Sequence, residues 1–115
     1  SLETAIRQNG AYLGQSCSAA EILATLALRH LDRSRGDMLV MSPAHYCLAL
    51  YALMAEQGEL SDEAFETYNL DGSPVEMIGG AGAPGMPFTT GSLSQGLSQA
   101  TGVALARRMR GDASR

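Results

Sequence analysis

In Thr89-Thr90-Gly91-Ser92-Leu93-Ser94-Gln95-Gly96-Leu97-Ser98 a Gly-rich loop gives way to a helix. Ser92 with Gln95 three residues on is a capping-box pattern: the hydroxyl accepts from the third amide, and the side-chain amide reaches back. Gly91, ahead of that cap, lets the backbone approach a neighbour closely. Gly96, Ala100 and Ala104 then recur every four residues. They form a flat stripe on which another helix or backbone can sit close, flanked by Leu97 and Leu105. The helix is expected to finish around Met109. Its start, after a long loop, is the first candidate for a site.

Working outward, residues 72–91 are dense in Gly and Pro and show no periodicity. Loops of that length inside a compact domain are usually functional or disordered. Before them, Ser61-Asp62-Glu63 caps a short helix to about Thr67. Ser42-Pro43 reads as an N-cap followed by Pro at the first helical position. That start puts His45 in the first turn, with Leu48, Ala49, Ala52 and Leu53 on the buried face, and an end near Gln57-Gly58. Asp37-Met38-Leu39-Val40-Met41 is a short apolar run, expected to be a buried strand and the one clear strand of the chain. Ser18 and Glu21 form a second capping box, with Cys17 and Ile22 as a hydrophobic staple. The helix they open is expected to reach about His30 and to bury Ile22, Leu23, Leu26 and Ala27. Leu2, Ala5 and Ile6 suggest a short first helix stopped by Asn9-Gly10, with residues 10–17 as a loop. One strand and several helices do not by themselves make a self-sufficient doubly wound sheet.

At 115 residues the chain is one domain or part of one. Hydrophobic residues make up 45%, but Trp is absent, so Ala, Gly, Leu and Met must fill the interior. Net charge is −4, every basic residue is Arg, and no basic patch points to nucleic acid. Arg107, Arg108 and Arg110 complement the C-terminal dipole of the last helix. No apolar run reaches membrane-spanning length. Cys17 and Cys47 have neither metal nor redox spacing and read as buried free thiols of a reducing cytoplasm. No metal-ligand spacing, nucleophile elbow or phosphate-binding Lys loop is present.

Three segments together resemble the transketolase family, which binds thiamine diphosphate. Residues 89–98 look like its T-G-S-L-G-Q-G-L segment. Ser18-Ala19-Ala20-Glu21-Ile22-Leu23 and Met38-Leu39-Val40-Met41-Ser42-Pro43-Ala44-His45 agree in order and spacing. The resemblance covers residues 5–110. It implies that residues 1–115 are the helix-rich first part of an N-terminal, doubly wound α/β domain. It further implies thiamine diphosphate and Mg2+ as cofactors, with the metal ligands in a later G-D-G segment outside the chain. His45 aligns with a histidine that contacts the cofactor diphosphate. Ser42 is kept, while Pro43 and Ala44 replace a lysine and a glycine. An imidazole at a helix N-terminus suits an anion. Gly91, Ser92 and Leu93 would line the aminopyrimidine. Tyr12 stands where the family has a histidine and is a candidate substrate contact. Met77-Ile78-Gly79-Gly80 stands where it has another.

The implied activity is transfer of a two-carbon ketol unit, or a related acyl unit, between small molecules. The family's activating glutamate lies on a pyrimidine-side domain, usually of the partner subunit, so a dimer or heterotetramer is implied. Two other readings stay open. One is a divergent relative acting on another acceptor, such as an acyl or amino-sugar intermediate, which the missing histidines favour. The other is a non-catalytic subunit that keeps the fold for assembly.

Overall fold

A computed structural model describes residues 2–8 and 10–115. Five α-helices carry the architecture: α1 (Leu2–Arg7), α2 (Leu13–Arg29), α3 (Cys47–Glu56), α4 (Asp62–Glu66) and α5 (Gln95–Met109). Two 3₁₀ turns, Arg33–Arg35 and Ala44–Tyr46, lie between α2 and α3. Asn9, expected to stop α1, lies outside the described residues.

The centre is α3. Cys47, Leu48, Leu50, Tyr51 and Met54 are buried on one broad face, and Ala49, Ala52 and Leu53, expected on the buried face, are only half-buried. Against it lies α2, with Leu23 buried and Leu13 and Ala19 packed at the edge of the same core. Tyr68 and Val75 are fully buried in that core. Ser61 caps α4 as expected, its Oγ accepting from Ala64 N at 3.1 Å. Residues 72–91 form no helix, yet Val75, Ala83, Met86 and Thr90 within them are buried. Side chains brace this loop from inside: Glu76 accepts from Gly80 N at 3.1 Å, and Thr89 Oγ1 accepts from Ala81 N at 2.9 Å. At Gly79 a Cβ would lie 2.7 Å from the Tyr51 hydroxyl, so the loop rests on α3 only because that side chain is missing.

The expected strand does not form. Residues 37–41 carry no ladder, no strand occurs among the described residues, and the α/β assignment is corrected to a helical one. The reason is physical. An apolar run records burial, and Met41 is indeed buried with Met38, Leu39 and Val40 half-buried. A strand also needs a partner backbone, and among the described residues this segment reaches a distant one only through Met38 N to Arg115 O at 2.7 Å, Asp37 N to Asp32 O at 3.2 Å being a local turn bond. Its position is fixed at the ends instead. The buried Asp37 carboxylate accepts from Arg115 N at 2.6 Å and Asp32 N at 3.1 Å. Those two amides hold its pKa below the ordinary carboxylate value.

Both capping boxes also fail. Helix α2 begins at Leu13, five residues ahead of Ser18, which sits inside it and turns its hydroxyl back to Gln15 O at 2.8 Å. Cys17 is exposed, contrary to expectation, and Ile22 is 63% exposed, so no staple forms. Helix α5 begins at Gln95, with Ser94 at the cap in the left-handed region (φ 66°) and no capping bond from its own side chain. The first-turn amide of Gly96 is satisfied from elsewhere, by Ser42 Oγ at 3.2 Å.

The small-residue stripe of α5 works as its spacing predicts at its first position. Gly96 is buried, and a Cβ there would lie 2.7 Å from Ser42 Cβ and 2.8 Å from Met41 O. The opposite side leaves Leu97, Leu105 and Met109 largely exposed. Gly96→Ala should therefore push α5 away from residues 41–42 and destabilise the fold by about 1–3 kcal/mol, the usual cost of overpacking. Urea titration of the variant checks this, and an unchanged midpoint would show that the helix shifts freely.

Candidate functional site

His45 sits in the 3₁₀ turn Ala44–Tyr46 that runs directly into α3. Two hydrogen bonds bring this turn to the start of α5. Ala44 N donates to Thr90 O at 3.0 Å, and Gly96 N donates to Ser42 Oγ at 3.2 Å. His45 is thereby set beside residues 90–92, although some 45 positions separate them in the sequence. Its Nδ1 is buried without a hydrogen-bond partner among the described residues. Fully buried Thr90 also leaves its Oγ1 unpartnered. Unpaired buried polar atoms cost about 1–3 kcal/mol each, so they are uncommon without a ligand, a water or a functional reason.

Gly91 is half-buried, and a Cβ there would meet nothing within 4 Å. Its φ lies outside the left-handed region. The chain itself imposes no need for glycine at this position. Ser92 and Leu93 project outward, Leu93 being 76% exposed.

Tyr12 caps α2 and lies against His45. The ring centroids are 4.8 Å apart with an interplanar angle of 73°, an edge-to-face contact. The loop with Met77 and Ile78 reaches the same place. A Cβ at Gly10 would lie 2.8 Å from Met77 Cε. Cys47, two residues after His45, directs its thiol to Met77 O at 3.0 Å, with Glu76 O at 3.3 Å. Burial pushes that thiol above its ordinary pKa, which suits a hydrogen-bond donor and not a nucleophile. Ile78 itself is partly exposed.

No group of three or more His, Cys, Asp or Glu able to hold a metal occurs among the described residues. Among the described residues no helix is long and apolar enough to cross a membrane.

Comparison with known proteins bears on what this cluster is. No protein-family model matches the sequence. A transketolase family protein of Sinorhizobium fredii is 35% identical over 116 residues, covering 93% of this chain and 41% of that protein. A 6-deoxy-6-sulfo-D-fructose transketolase subunit of a Clostridium species is 36% identical over 106 residues, covering 85% of this chain and 38% of the relative. The chain belongs to the transketolase family. Mouse transketolase is 39% identical over 103 residues, which cover 76% of this chain and 15% of the mouse protein. The chain thus spans about two fifths of the first two transketolase relatives.

For a transketolase relative the cluster is informative in both directions. Of the residues singled out in the sequence, Tyr12 and His45 are in contact and the Ala44 N to Thr90 O bond brings the His45 turn to the residue before Gly91, while Ser92 and Leu93 face outward. Sequence reasoning missed Thr90, Ser42 as an acceptor for α5, and Cys47 as the tie to residues 76–77. A Ser ahead of a helix signals a cap, but nothing local says that it will cap a different helix.

Two substitutions probe the cluster as the cofactor site that the family resemblance implies. His45→Ala should weaken thiamine diphosphate binding by roughly 1.5–3 kcal/mol, the range for a hydrogen bond to a charged group, with little change in folding. A lower melting temperature with unchanged cofactor affinity would make His45 structural. Gly91→Ala should leave the melting temperature nearly unchanged, because its Cβ meets open space, and still reduce cofactor affinity. Equal affinity for both forms would show that no ligand approaches that backbone.

Proposed function

We propose that this chain supplies the diphosphate side of a thiamine diphosphate site in a transketolase-type transferase. The observation that carries the reading is the Ala44 N to Thr90 O bond, which joins the His45 turn to the Gly91 loop. Two segments that the family resemblance assigns to one cofactor are neighbours here. The residues present fit such a group. His45 offers an imidazole with an unpartnered buried nitrogen, Thr90 an unpartnered hydroxyl, and Gly91 a backbone with open space before it.

When bound, the cofactor supplies a nucleophilic ylid and an electron sink for the carbanion left by the cleaved ketol unit. The chain's own part is to bind and orient. His45 would donate to a diphosphate oxygen, and residues 91–93 would pack against the aminopyrimidine. Mg2+ would accompany such a diphosphate, and the family resemblance assigns its ligands to residues other than the described ones. The acid that activates the aminopyrimidine is likewise assigned elsewhere, which calls for a pyrimidine-side domain or subunit. The exposed apolar side chains of Leu93, Leu97, Leu105 and Met109 support a covering partner.

The substrate is read from what the wall lacks. Tyr12 and Ile78 stand where the family has histidines, and Ile78 neither donates nor accepts a hydrogen bond. A sugar hydroxyl left unpaired against Ile78 would cost about 1–3 kcal/mol. A two-carbon ketol transfer to or from a less hydroxylated or differently decorated sugar fits this wall better than plain sugar phosphates. The Clostridium relative, named for a sulfonated sugar, supports such variation within the family.

Isothermal titration of magnesium thiamine diphosphate into the assembled enzyme tests the cofactor. No binding would favour a scaffold subunit. With cofactor bound, xylulose phosphate plus ribose phosphate should turn over well below the typical enzyme range of about 1–1000 per second. Turnover inside that range would restore plain transketolase chemistry.

A further inference from the structure

We infer that Tyr12 is a positioning residue that fixes the His45 ring through its aromatic edge, and that its hydroxyl has no part in handling substrate. The inference rests on the cofactor role proposed for His45.

A histidine that must present one nitrogen to a ligand is usually oriented by a hydrogen bond on the other. His45 lacks that device: among the described residues its imidazole makes no hydrogen bond at all, Nδ1 being buried without a partner. Rotation about the side-chain torsions would carry the imidazole away from any anion at the turn. The one specific contact that opposes this is the Tyr12 ring, 4.8 Å away and inclined at 73°. Edge-to-face geometry is directional because the positive rim of one ring meets the negative face of the other. It therefore restrains ring orientation, which simple packing against an aliphatic side chain would not.

Tyr12 is itself well placed to act as a fixed wall. It stands at the cap of α2, and its carbonyl accepts from Ser16 N at 2.9 Å, so the helix start holds its backbone. Met77, tied to α3 through the Cys47 thiol, fills the space beside neighbouring Gly10. The Tyr12 loop, the Met77 loop and the His45 turn brace one another. In this arrangement the useful part of Tyr12 is the ring, which a phenylalanine would supply equally well.

The test uses three variants of the assembled enzyme, Tyr12→Phe, Tyr12→Leu and Tyr12→Ala. It reads magnesium thiamine diphosphate affinity by calorimetry and the His45 ring-proton resonances by NMR. Tyr12→Phe should bind cofactor like the parent and keep the His45 resonances in place. Tyr12→Leu, which keeps bulk but has no aromatic edge, should shift those resonances and weaken binding by roughly five- to tenfold, and Tyr12→Ala by at least as much. If Tyr12→Phe loses as much affinity as Tyr12→Leu, the hydroxyl is the working group and the inference is overturned. Unmoved resonances and unchanged affinity in Tyr12→Leu would overturn it as well. Should the parent not bind the cofactor, the proposed function fails by itself. The NMR arm then still decides whether Tyr12 holds His45.

Discussion

The bond from Gly96 N to Ser42 Oγ, with the bare Gly96 Cα against residues 41–42, is the constraint on which the rest depends. A helix N-terminus leaves amides without partners, and a serine from a remote segment answers one of them. The same serine precedes the turn that carries His45. One contact therefore satisfies α5, fixes the distance of α5 from the core, and sets the loop before α5 beside the imidazole. Two of these functions fail if residue 96 has a side chain, because Met41 O and Ser42 Cβ already occupy that space.

Helix α3 makes this geometry stiff. Its broad buried face packs with α2, Tyr68 and Val75, so it cannot slide or rotate without disturbing them together. His45 lies at its entrance, and the thiol of Cys47, its first residue, holds residues 76–77. A rigid helix whose first residues face the cluster supports precise placement, whereas a site on an unsupported loop would lose it. The outer surface is built differently. Leu93, Leu97, Leu105 and Met109 are left bare, and the molecule measures 46 × 27 × 26 Å, an elongated body for its length.

Local signals were legible where the residue and its partner lie within a few positions. The Ser61 cap, the end of α3 at Gln57-Gly58 and the last helix to Met109 all follow from short-range chemistry. Signals failed where the deciding partner is distant. Ser92 and Ser18 carry correct capping patterns, but each helix takes its start from tertiary packing. The run at residues 37–41 is apolar because it is buried, and its burial says nothing about a neighbouring backbone to pair with. At the candidate site, resemblance nominated the residues, while the edge-to-face contact between Tyr12 and His45 was not legible. No spacing rule links a residue before α2 to one before α3.

The distribution of aromatic rings has an optical consequence. The chain contains no tryptophan and four tyrosines. Tyr51 and Tyr68 are buried in the core, their ring centroids 6.4 Å apart, and burial raises both phenols, Tyr68 to about 12. Tyr12 packs against His45 in space, and Tyr46 follows it in sequence. The near-ultraviolet circular dichroism of this chain is thus dominated by chromophores at only two places, the heart of α3 and the rim of the cluster. A native label already sits where a bound molecule would be felt, and a second sits where loss of the fold would be felt.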